Sequence, residues 1–217
     1  HFKRFVKQTK EAPSEEDWAD LRGEAERVLE PTLRLVSQVA DAYDQIRRQS
    51  QALAGFSGGR TDPLTGLCNS RALSEMLQLE LAGHAAVGGQ FAIAIVGLQA
   101  PSGGPGESRE EQQARILQAA ELLRPQLRDS DRLARYGIDE LVVVMPHTRL
   151  YGATVFGRRT RSVLGEAGLS VSLGATQSSP TDDPAALLGR ADSALYSAKA
   201  TGQGGALYVH NGLTIRP

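Results

Sequence analysis

The chain has 217 residues, of which 41% are hydrophobic, and its formal net charge is −1 at pH 7. This length and apolar content support one sizeable core with an additional element, and the near-neutral charge gives no electrostatic basis for binding nucleic acid or a membrane surface. We therefore expect small molecules or proteins as partners, and neither nucleic acid nor membrane contact within this segment.

One cysteine and four histidines limit the chemistry of the chain. Cys68 cannot form an internal disulfide and the histidines lack metal-ligand spacing, so we expect a reducing, cytoplasmic location. The longest uninterrupted apolar run, Phe91–Leu98, is far shorter than the about 20 residues that span a bilayer. The chain begins at His1 with neither an initiator Met nor an apolar signal segment, which favours a fragment of a longer protein.

Residues 14–56 have the pattern of helices. Ser14 is a candidate N-cap, and Glu15 and Glu16 favour a helix start through the helix dipole. Apolar or small residues then recur in steps of four and three, interrupted at Gln49: Leu21, Ala25, Val28, Thr32, Leu35, Val39, Ala42, Ile46 and Leu53. This seam is typical of a coiled coil, and a helix packing the same stripe on its own domain is an equal alternative.

Pro31 interrupts this region, because it lacks a backbone donor and disfavours the helical conformation of Glu30. We expect two helices or one kinked helix. The Gly-rich residues 55–60 end the helical region. The sequence thus predicts a helical signalling segment over residues 1–56 and a second domain over residues 57–217.

Helices and strands alternate from Thr61 onward. The predicted helices cover residues 70–82, 109–127, 150–164 and 184–201, and the predicted strands cover residues 91–98 and 169–175. Between them, the alternation of Leu133 and Arg135 followed by the apolar residues 141–145 predicts a hairpin whose turn presents Asp139 and Glu140 to solvent. We expect an α+β fold, with a central, mostly antiparallel sheet flanked by helices.

Three segments carry a resemblance to a known family. The hairpin turn reads Gly137, Ile138, Asp139, Glu140 and Leu141; residues 61–69 read Thr-Asp-Pro-Leu-Thr-Gly-Leu-Cys-Asn, and residues 191–199 read Ala-Asp-Ser-Ala-Leu-Tyr-Ser-Ala-Lys. In this order they resemble the signature turn, the opening motif and the closing helix of GGDEF domains, the diguanylate cyclases that join two GTP molecules into cyclic di-GMP. The resemblance implies a nucleotidyl-cyclase-like sheet.

The resemblance also implies a Mg²⁺ site, because phosphoryl transfer between nucleotides needs a hard cation held by carboxylates. The acidic residue of the turn is matched by Asp139. The aspartates at the end of the first strand are not matched, since residues 96–99 read Val-Gly-Leu-Gln and no aspartate lies between Asp62 and Asp129. We therefore expect no cofactor and assign no catalytic residue; Mg²⁺ would bind, at Asp139, only if the chain were an active cyclase.

Other positions also differ from the family pattern, and these differences likewise favour a loss of cyclase activity. Residues 100–107 form a Gly- and Pro-rich loop in place of the family's nucleotide-gripping side chains, and Gln113 stands where a guanine-contacting Asp is implied. Lys199 matches a phosphate-contacting lysine, while Gln203 replaces its companion arginine. At the second glycine position, Ile138 disfavours both a positive φ and close approach of phosphate to the backbone.

Arg128 and Asp131 match a different family element, an Arg-x-x-Asp pair five residues before the signature turn that binds the product, cyclic di-GMP. An arginine can stack on guanine or bind phosphate, and a carboxylate can accept from the guanine N1 and N2 donors. By position, Arg159 corresponds to the second arginine of that site, and Arg158 could substitute for it. The alternative is a solvated helix end with Arg128 near the C-terminal dipole.

These observations favour a catalytically impaired GGDEF domain that acts as a cyclic di-GMP receptor and signal-transduction module. Two alternatives stay open: an active diguanylate cyclase, and a scaffold for dimerisation or interaction that binds no nucleotide. A homodimer is a further possibility, through the N-terminal helices or through ligand bridging two protomers.

Overall fold

The computed structural model describes residues 59–100, 108–200, 207–210 and 215–216, together with the helical positions Arg27 and Pro31. The chain divides into two compact units, His1–Ser50 and Gln51–Pro217. The predicted helical seam and the remainder of the N-terminal segment lie outside the described residues. Among the helices that are described, none has the length and apolarity needed to cross a membrane.

The second unit is a six-stranded sheet with helices on both faces. In chain order the elements are α1 (Ser70–Val87), β1 (Phe91–Leu98), α2 (Arg109–Leu123), a 3₁₀ helix (Arg124–Gln126), β2 (Arg132–Arg135), β3 (Glu140–Pro146), α3 (Leu150–Glu166), β4 (Val171–Gln177), α4 (Pro184–Ala200), β5 (Leu207–His210) and β6 (Ile215–Arg216). The described strands have the order β2-β3-β1-β4-β5-β6, in which β4 and β5 are parallel and the other neighbouring pairs are antiparallel. The predicted α+β fold is confirmed.

β1 is the centre of the domain, and all eight of its residues are buried. Its even-numbered residues, such as Ala94 and Val96, belong to a core that includes residues of α2 and α3. Its odd-numbered residues, such as Ile93 and Ile95, belong to a second core that includes residues of α1 and α4. Because both faces are covered, the strand is continuously apolar rather than alternating.

Local side chains set the helix ends. Asn69 caps α1 by accepting from the Ala72 amide at 3.0 Å, and Gly88, at φ 73°, ends this helix in a left-handed conformation. Ser108 and Glu111 form a capping box at the start of α2. α2 ends at Leu123 rather than at the predicted residue 127, because Pro125 has no amide to continue the helical hydrogen bonds.

Two parts of the sheet differ from the sequence prediction. β4 lies at Val171–Gln177, two residues later than predicted, and the two short strands β5 and β6 were not predicted. α4 packs directly on β4 at Gly174, where an added Cβ would lie 2.3 Å from the Ala191 carbonyl oxygen. Glycine is required at this position because the helix backbone occupies the space of a side chain.

Candidate functional site

The signature turn lies beside the end of β1, where the resemblance implies a metal site. β3 begins at Glu140, which pairs with Gly97 of β1. The Leu98 amide donates to the Asp139 carbonyl at 2.9 Å. The sheet therefore brings together the two segments that would supply carboxylates in an active cyclase.

Asp139 is bound by two side chains of α2. Arg115 donates to Oδ1 at 2.8 Å and Gln112 donates to Oδ2 at 2.9 Å. The Arg115 side chain is 7% exposed and that of Asp139 is 29% exposed. The expectation that this carboxylate faces solvent is therefore wrong, because a buried arginine holds it against the domain.

Glu140 is held in a similar way by α4. Lys199 Nζ lies 3.0 Å from Oε1 of Glu140, whose side chain is 16% exposed, so this carboxylate is not presented to solvent either. The same lysine covers Gly97, since a Cβ added there would lie 2.8 Å from Lys199 Cε. Lys199 thus binds the turn and fills the space beside the first strand that a larger side chain would need, and its expected contact with phosphate stays a prediction.

Gln99, at the end of the first strand, is directed toward β4. Its amide nitrogen donates to Ser172 Oγ at 2.9 Å, and its amide oxygen accepts from Ser170 Oγ at 2.9 Å. Within the described part of the chain, no group of three or more His, Cys, Asp and Glu side chains could hold a metal. The residues present do not fit Mg²⁺, because both carboxylates of the turn already carry a cationic partner.

The turn closes without a left-handed residue at Ile138. The amides of Tyr136 and Gly137 both donate to the Glu140 carbonyl, at 2.9 and 3.2 Å. Among the described residues other than glycine, only His147 has a positive φ. The expected backbone strain at Ile138 is therefore absent. Its side chain, which is 49% exposed at the tip of the turn, remains as the group that disfavours close approach of phosphate to the backbone.

Arg128 and Asp131 form a compact turn of their own. The Arg128 amide donates to Asp131 Oδ2 at 2.9 Å, and the Asp131 amide donates to the Arg128 carbonyl at 3.0 Å. Asp131 Oδ1 is buried and accepts no hydrogen bond from the described residues. The Arg128 side chain is exposed. One carboxylate oxygen thus holds the turn, while the other has no donor among the described residues.

Arg159 of α3 reaches the segment that leads into this turn. Its guanidinium donates to the Gln126 carbonyl at 2.7 Å and lies 5.9 Å from the centre of the Phe156 ring. Arg158, its neighbour on α3, is exposed to solvent. Arg159 therefore contacts the backbone at Gln126, two residues before Arg128 in the sequence. A shared role of the two arginines in binding a ligand stays a prediction.

A third arginine joins the signature turn to the loop that opens the domain, residues 61–67, here called the opening loop. Arg135 binds both carboxylate oxygens of Asp62, at 3.2 and 3.1 Å, and also donates to the Gly137 carbonyl at 3.3 Å. Burial alone would raise the pKa of Asp62, but hydrogen bonds from Thr65 and the charge of Arg135 outweigh it and hold that pKa below its usual value. Asp62 and Thr65 belong to the opening motif that carries the family resemblance, whereas Arg135 does not.

The sequence interpretation also missed Arg115 and Gln112. Arg115 belongs to the buried face of α2, which otherwise consists of Ile116, Ala119, Ala120 and Leu123. A charged residue on the apolar face of a helix requires a partner, because burying an unpaired charge is costly. The place of Arg115 on the apolar face of α2 was therefore the feature of the sequence that indicates an ion pair with a distant residue.

Comparisons with known proteins agree with the family resemblance and the fold. Residues 113–205 match the profile of the diguanylate cyclase GGDEF domain. The diguanylate cyclase DgcP of Pseudomonas aeruginosa is 34% identical over 155 residues, which are 66% of this chain and 23% of DgcP. Residues 113–205 therefore form a GGDEF domain, in a chain that spans about a quarter of the length of this relative.

Two solved structures share the fold. The diguanylate cyclase SiaD of Pseudomonas aeruginosa, solved with its activator SiaC, has a TM-score of 0.60 and 24% identity, covering 89% of this chain and 77% of SiaD. The GGDEF domain of DgcB from Caulobacter crescentus, solved with cyclic di-GMP, has a TM-score of 0.60 and 18% identity, covering 70% of this chain and 96% of that domain. At these identities the likeness concerns the fold.

Proposed function

We propose that this GGDEF domain binds cyclic di-GMP as a receptor and does not synthesise it. The observation that carries the proposal is the turn of Arg128 and Asp131, in which a buried carboxylate oxygen accepts no hydrogen bond from the described residues. A buried acceptor without a donor is costly, and a ligand donor that reaches it removes that cost.

The chemistry of cyclic di-GMP matches this turn. Guanine offers donors at N1 and N2 that Asp131 can accept, and its O6 and N7 edge or a phosphate can accept two hydrogen bonds from Arg128. Arg159 supplies a second guanidinium close to the same turn, with Arg158 beside it on α3. Because Asp131 Oδ1 is covered in this structure, binding includes a side-chain rearrangement of the turn.

The loss of synthesis is supported by the contacts of the signature turn. Asp139 pairs with Arg115, and Glu140 pairs with Lys199. Phosphoryl transfer between two nucleoside triphosphates needs divalent cations to neutralise the developing charge. A cation approaching this turn would have to displace two side-chain cations and would find Gly97 and Gln99 where the resemblance implies aspartates.

The same proposal extends to the rest of the chain. Residues 1–56 would be the helical signalling segment that receives the binding signal, residues 57–217 the receptor domain, and the cytoplasm its location. A homodimer, formed through the N-terminal helices or through bridging ligand, belongs to this proposal.

The test is isothermal titration calorimetry of the full chain with cyclic di-GMP. We expect saturable binding that Arg128→Ala weakens by about tenfold or more, as expected when a charged hydrogen-bond partner is removed. Arg71→Ala, which removes an exposed arginine of α1, is the matched control and should bind like the parent. Absence of heat from the parent would refute the receptor function and leave the scaffold alternative.

A second assay addresses synthesis directly. The parent is incubated with GTP and Mg²⁺, and the products are separated by chromatography. We expect no cyclic di-GMP. Turnover that disappears in Asp139→Ala would identify an active cyclase and refute this half of the proposal.

A further inference from the structure

The eight residues from Arg124 to Asp131 connect three parts of the domain. At one end of this segment, the turn of Arg128 and Asp131 is the proposed ligand site. In its middle, the Gln126 carbonyl accepts from Arg159 of α3 at 2.7 Å. At its other end, the Arg124 guanidinium donates to the Thr65 carbonyl at 3.1 Å.

Thr65 lies in the opening loop, within a network of hydrogen bonds that includes the pair of Asp62 and Arg135. Asp62 accepts from the amide and the hydroxyl of Thr65 at 2.8 and 2.7 Å, and the Gly66 amide donates to the Asp62 carbonyl at 2.8 Å. Thr65 itself is 7% exposed. Arg124 therefore binds the opening loop at the residue that organises it.

Arg159 has two alternative sets of acceptors. In this structure it donates to Gln126, and in the proposed complex it would donate to a phosphate or guanine of the ligand. A charged guanidinium binds an anionic oxygen more strongly than a neutral carbonyl, so ligand binding favours its release from Gln126. The 3₁₀ helix then loses its side-chain hydrogen bond to α3 and keeps the apolar packing of the adjacent Leu127 on the core.

We infer that Arg124 couples the ligand site to the opening loop. This inference rests on the proposed function and adds its regulation: when Arg159 leaves Gln126, the 3₁₀ helix is released, the bond from Arg124 to Thr65 weakens, and the opening loop becomes more dynamic. The coupling is a change in population between two hydrogen-bond arrangements of the same side chains. Arg124 contacts no ligand and acts as a positioning residue.

The inference can be tested without ligand by amide hydrogen exchange of residues 62–69. Arg159→Gln removes the guanidinium that donates to the 3₁₀ helix, and we expect exchange in this peptide to accelerate about fivefold, which corresponds to loss of one hydrogen bond of ordinary net strength. Arg109→Gln, a change at an exposed arginine in the first turn of α2 that belongs to no proposed site, is the control and should leave exchange unchanged. Equal exchange in the parent and in Arg159→Gln would overturn the inference.

The role of Arg124 is tested in the same experiment. Arg124→Gln alone should accelerate exchange of residues 62–69, and adding Arg159→Gln should cause no further change, because the connection is already broken. Additive effects of the two substitutions would overturn the coupling through Arg124. Thermal unfolding of each variant checks that the domain is folded.

Measuring exchange in the presence of cyclic di-GMP separates this inference from the proposed function. In the parent, saturating cyclic di-GMP should accelerate exchange in residues 62–69, while in Arg124→Gln the ligand should still bind by calorimetry but leave this peptide unaffected. A parent that binds without any acceleration overturns the inference and leaves the receptor function intact. A parent that does not bind refutes the receptor function, and the ligand-free variants still decide whether the connection exists.

Discussion

Lys199 donates to Glu140 at 3.0 Å and covers Gly97 of the neighbouring strand. On the other side of the turn, Arg115 donates to Asp139 at 2.8 Å. Two helices, α4 and α2, thus each supply one cation to one carboxylate of the signature turn. This arrangement gives the acidic pair a structural role that does not depend on a metal ion.

Removing the buried cation should destabilise the domain. Arg115→Leu leaves the Asp139 carboxylate half-buried without its ionic partner, and we expect the free energy of unfolding to fall by about 2–4 kcal/mol. Urea denaturation measures this change. Arg109→Leu, at an exposed position in the first turn of the same helix, should change it by less than about 0.5 kcal/mol. Equal effects of the two substitutions would contradict a structural role for the pair of Arg115 and Asp139.

The glycines of β4 and α4 provide a test of the packing. Gly174→Ala places a Cβ 2.3 Å from both the Ala191 carbonyl oxygen and the Leu195 amide nitrogen, so we expect a loss of stability of about 3 kcal/mol or more, or failure to fold. Gly189→Ala in α4 meets no atom within 4 Å and should stabilise the domain by up to about 1 kcal/mol. Thermal unfolding compares the two, and a stable Gly174→Ala variant would show that α4 lies farther from β4.

Stability should fall in acid because of Asp182. Its side chain is 5% exposed and binds Arg190 through both oxygens at 2.6 Å. Burial alone would raise the pKa of Asp182, but hydrogen bonds from Arg190 and the Ser179 amide, with the charge of Arg190, lower it below its usual value of about 3.9.

The sign of the effect follows from this lowered pKa. The unfolded chain takes up the proton at a higher pH than the folded domain, so the stabilisation is complete above about pH 5 and is lost as the pH falls through the folded-state pKa. Asp182→Asn should be less stable than the parent at pH 7 and should show a flatter pH dependence below pH 5 in urea titrations. Asp129→Asn, at an exposed position, should follow the profile of the parent. Parallel profiles for the parent and Asp182→Asn would contradict this assignment.

Much of the fold was predictable because each helix and the central strand carry local signals. The continuous apolar run of β1 fixed its bounds to the residue, and the hairpin was evident from alternation followed by an apolar run. The end of α2 was predictable in principle from Pro125. By contrast, β5 has four residues and β6 has two, and strands this short are defined by pairing with distant partners rather than by their own pattern.

The candidate site was also predictable only where the sequence carries a local pattern. The motif residues were evident from spacing, but the partners of Asp139 and Glu140 were not, because Arg115 and Lys199 lie 24 and 59 residues away from them in sequence. Local pattern cannot select one cation among 24 Lys and Arg residues. The same holds for the contact of Arg159 with Gln126, which depends on how α3 packs against the 3₁₀ helix.

Magnesium should not stabilise the domain in the absence of nucleotide. An ion that binds the folded state with a dissociation constant far below its concentration raises the melting temperature by mass action. Because Arg115 and Lys199 already neutralise the turn, we expect no rise in the melting temperature of the parent at millimolar Mg²⁺, with Ca²⁺ and added NaCl of matched ionic strength as controls. A rise specific to Mg²⁺ and absent in Asp139→Asn would contradict the structural role of the acidic pair.

The central claim is that ligand binding belongs to the turn of Arg128 and Asp131 and not to the signature turn. Its most direct test is calorimetric titration of cyclic di-GMP into the parent, Arg128→Ala and Asp139→Asn, each checked for folding by circular dichroism. We predict that the parent and Asp139→Asn bind with similar affinity and that Arg128→Ala binds at least about tenfold more weakly. Binding that is lost in Asp139→Asn and retained in Arg128→Ala, or that is absent from the parent, would contradict it.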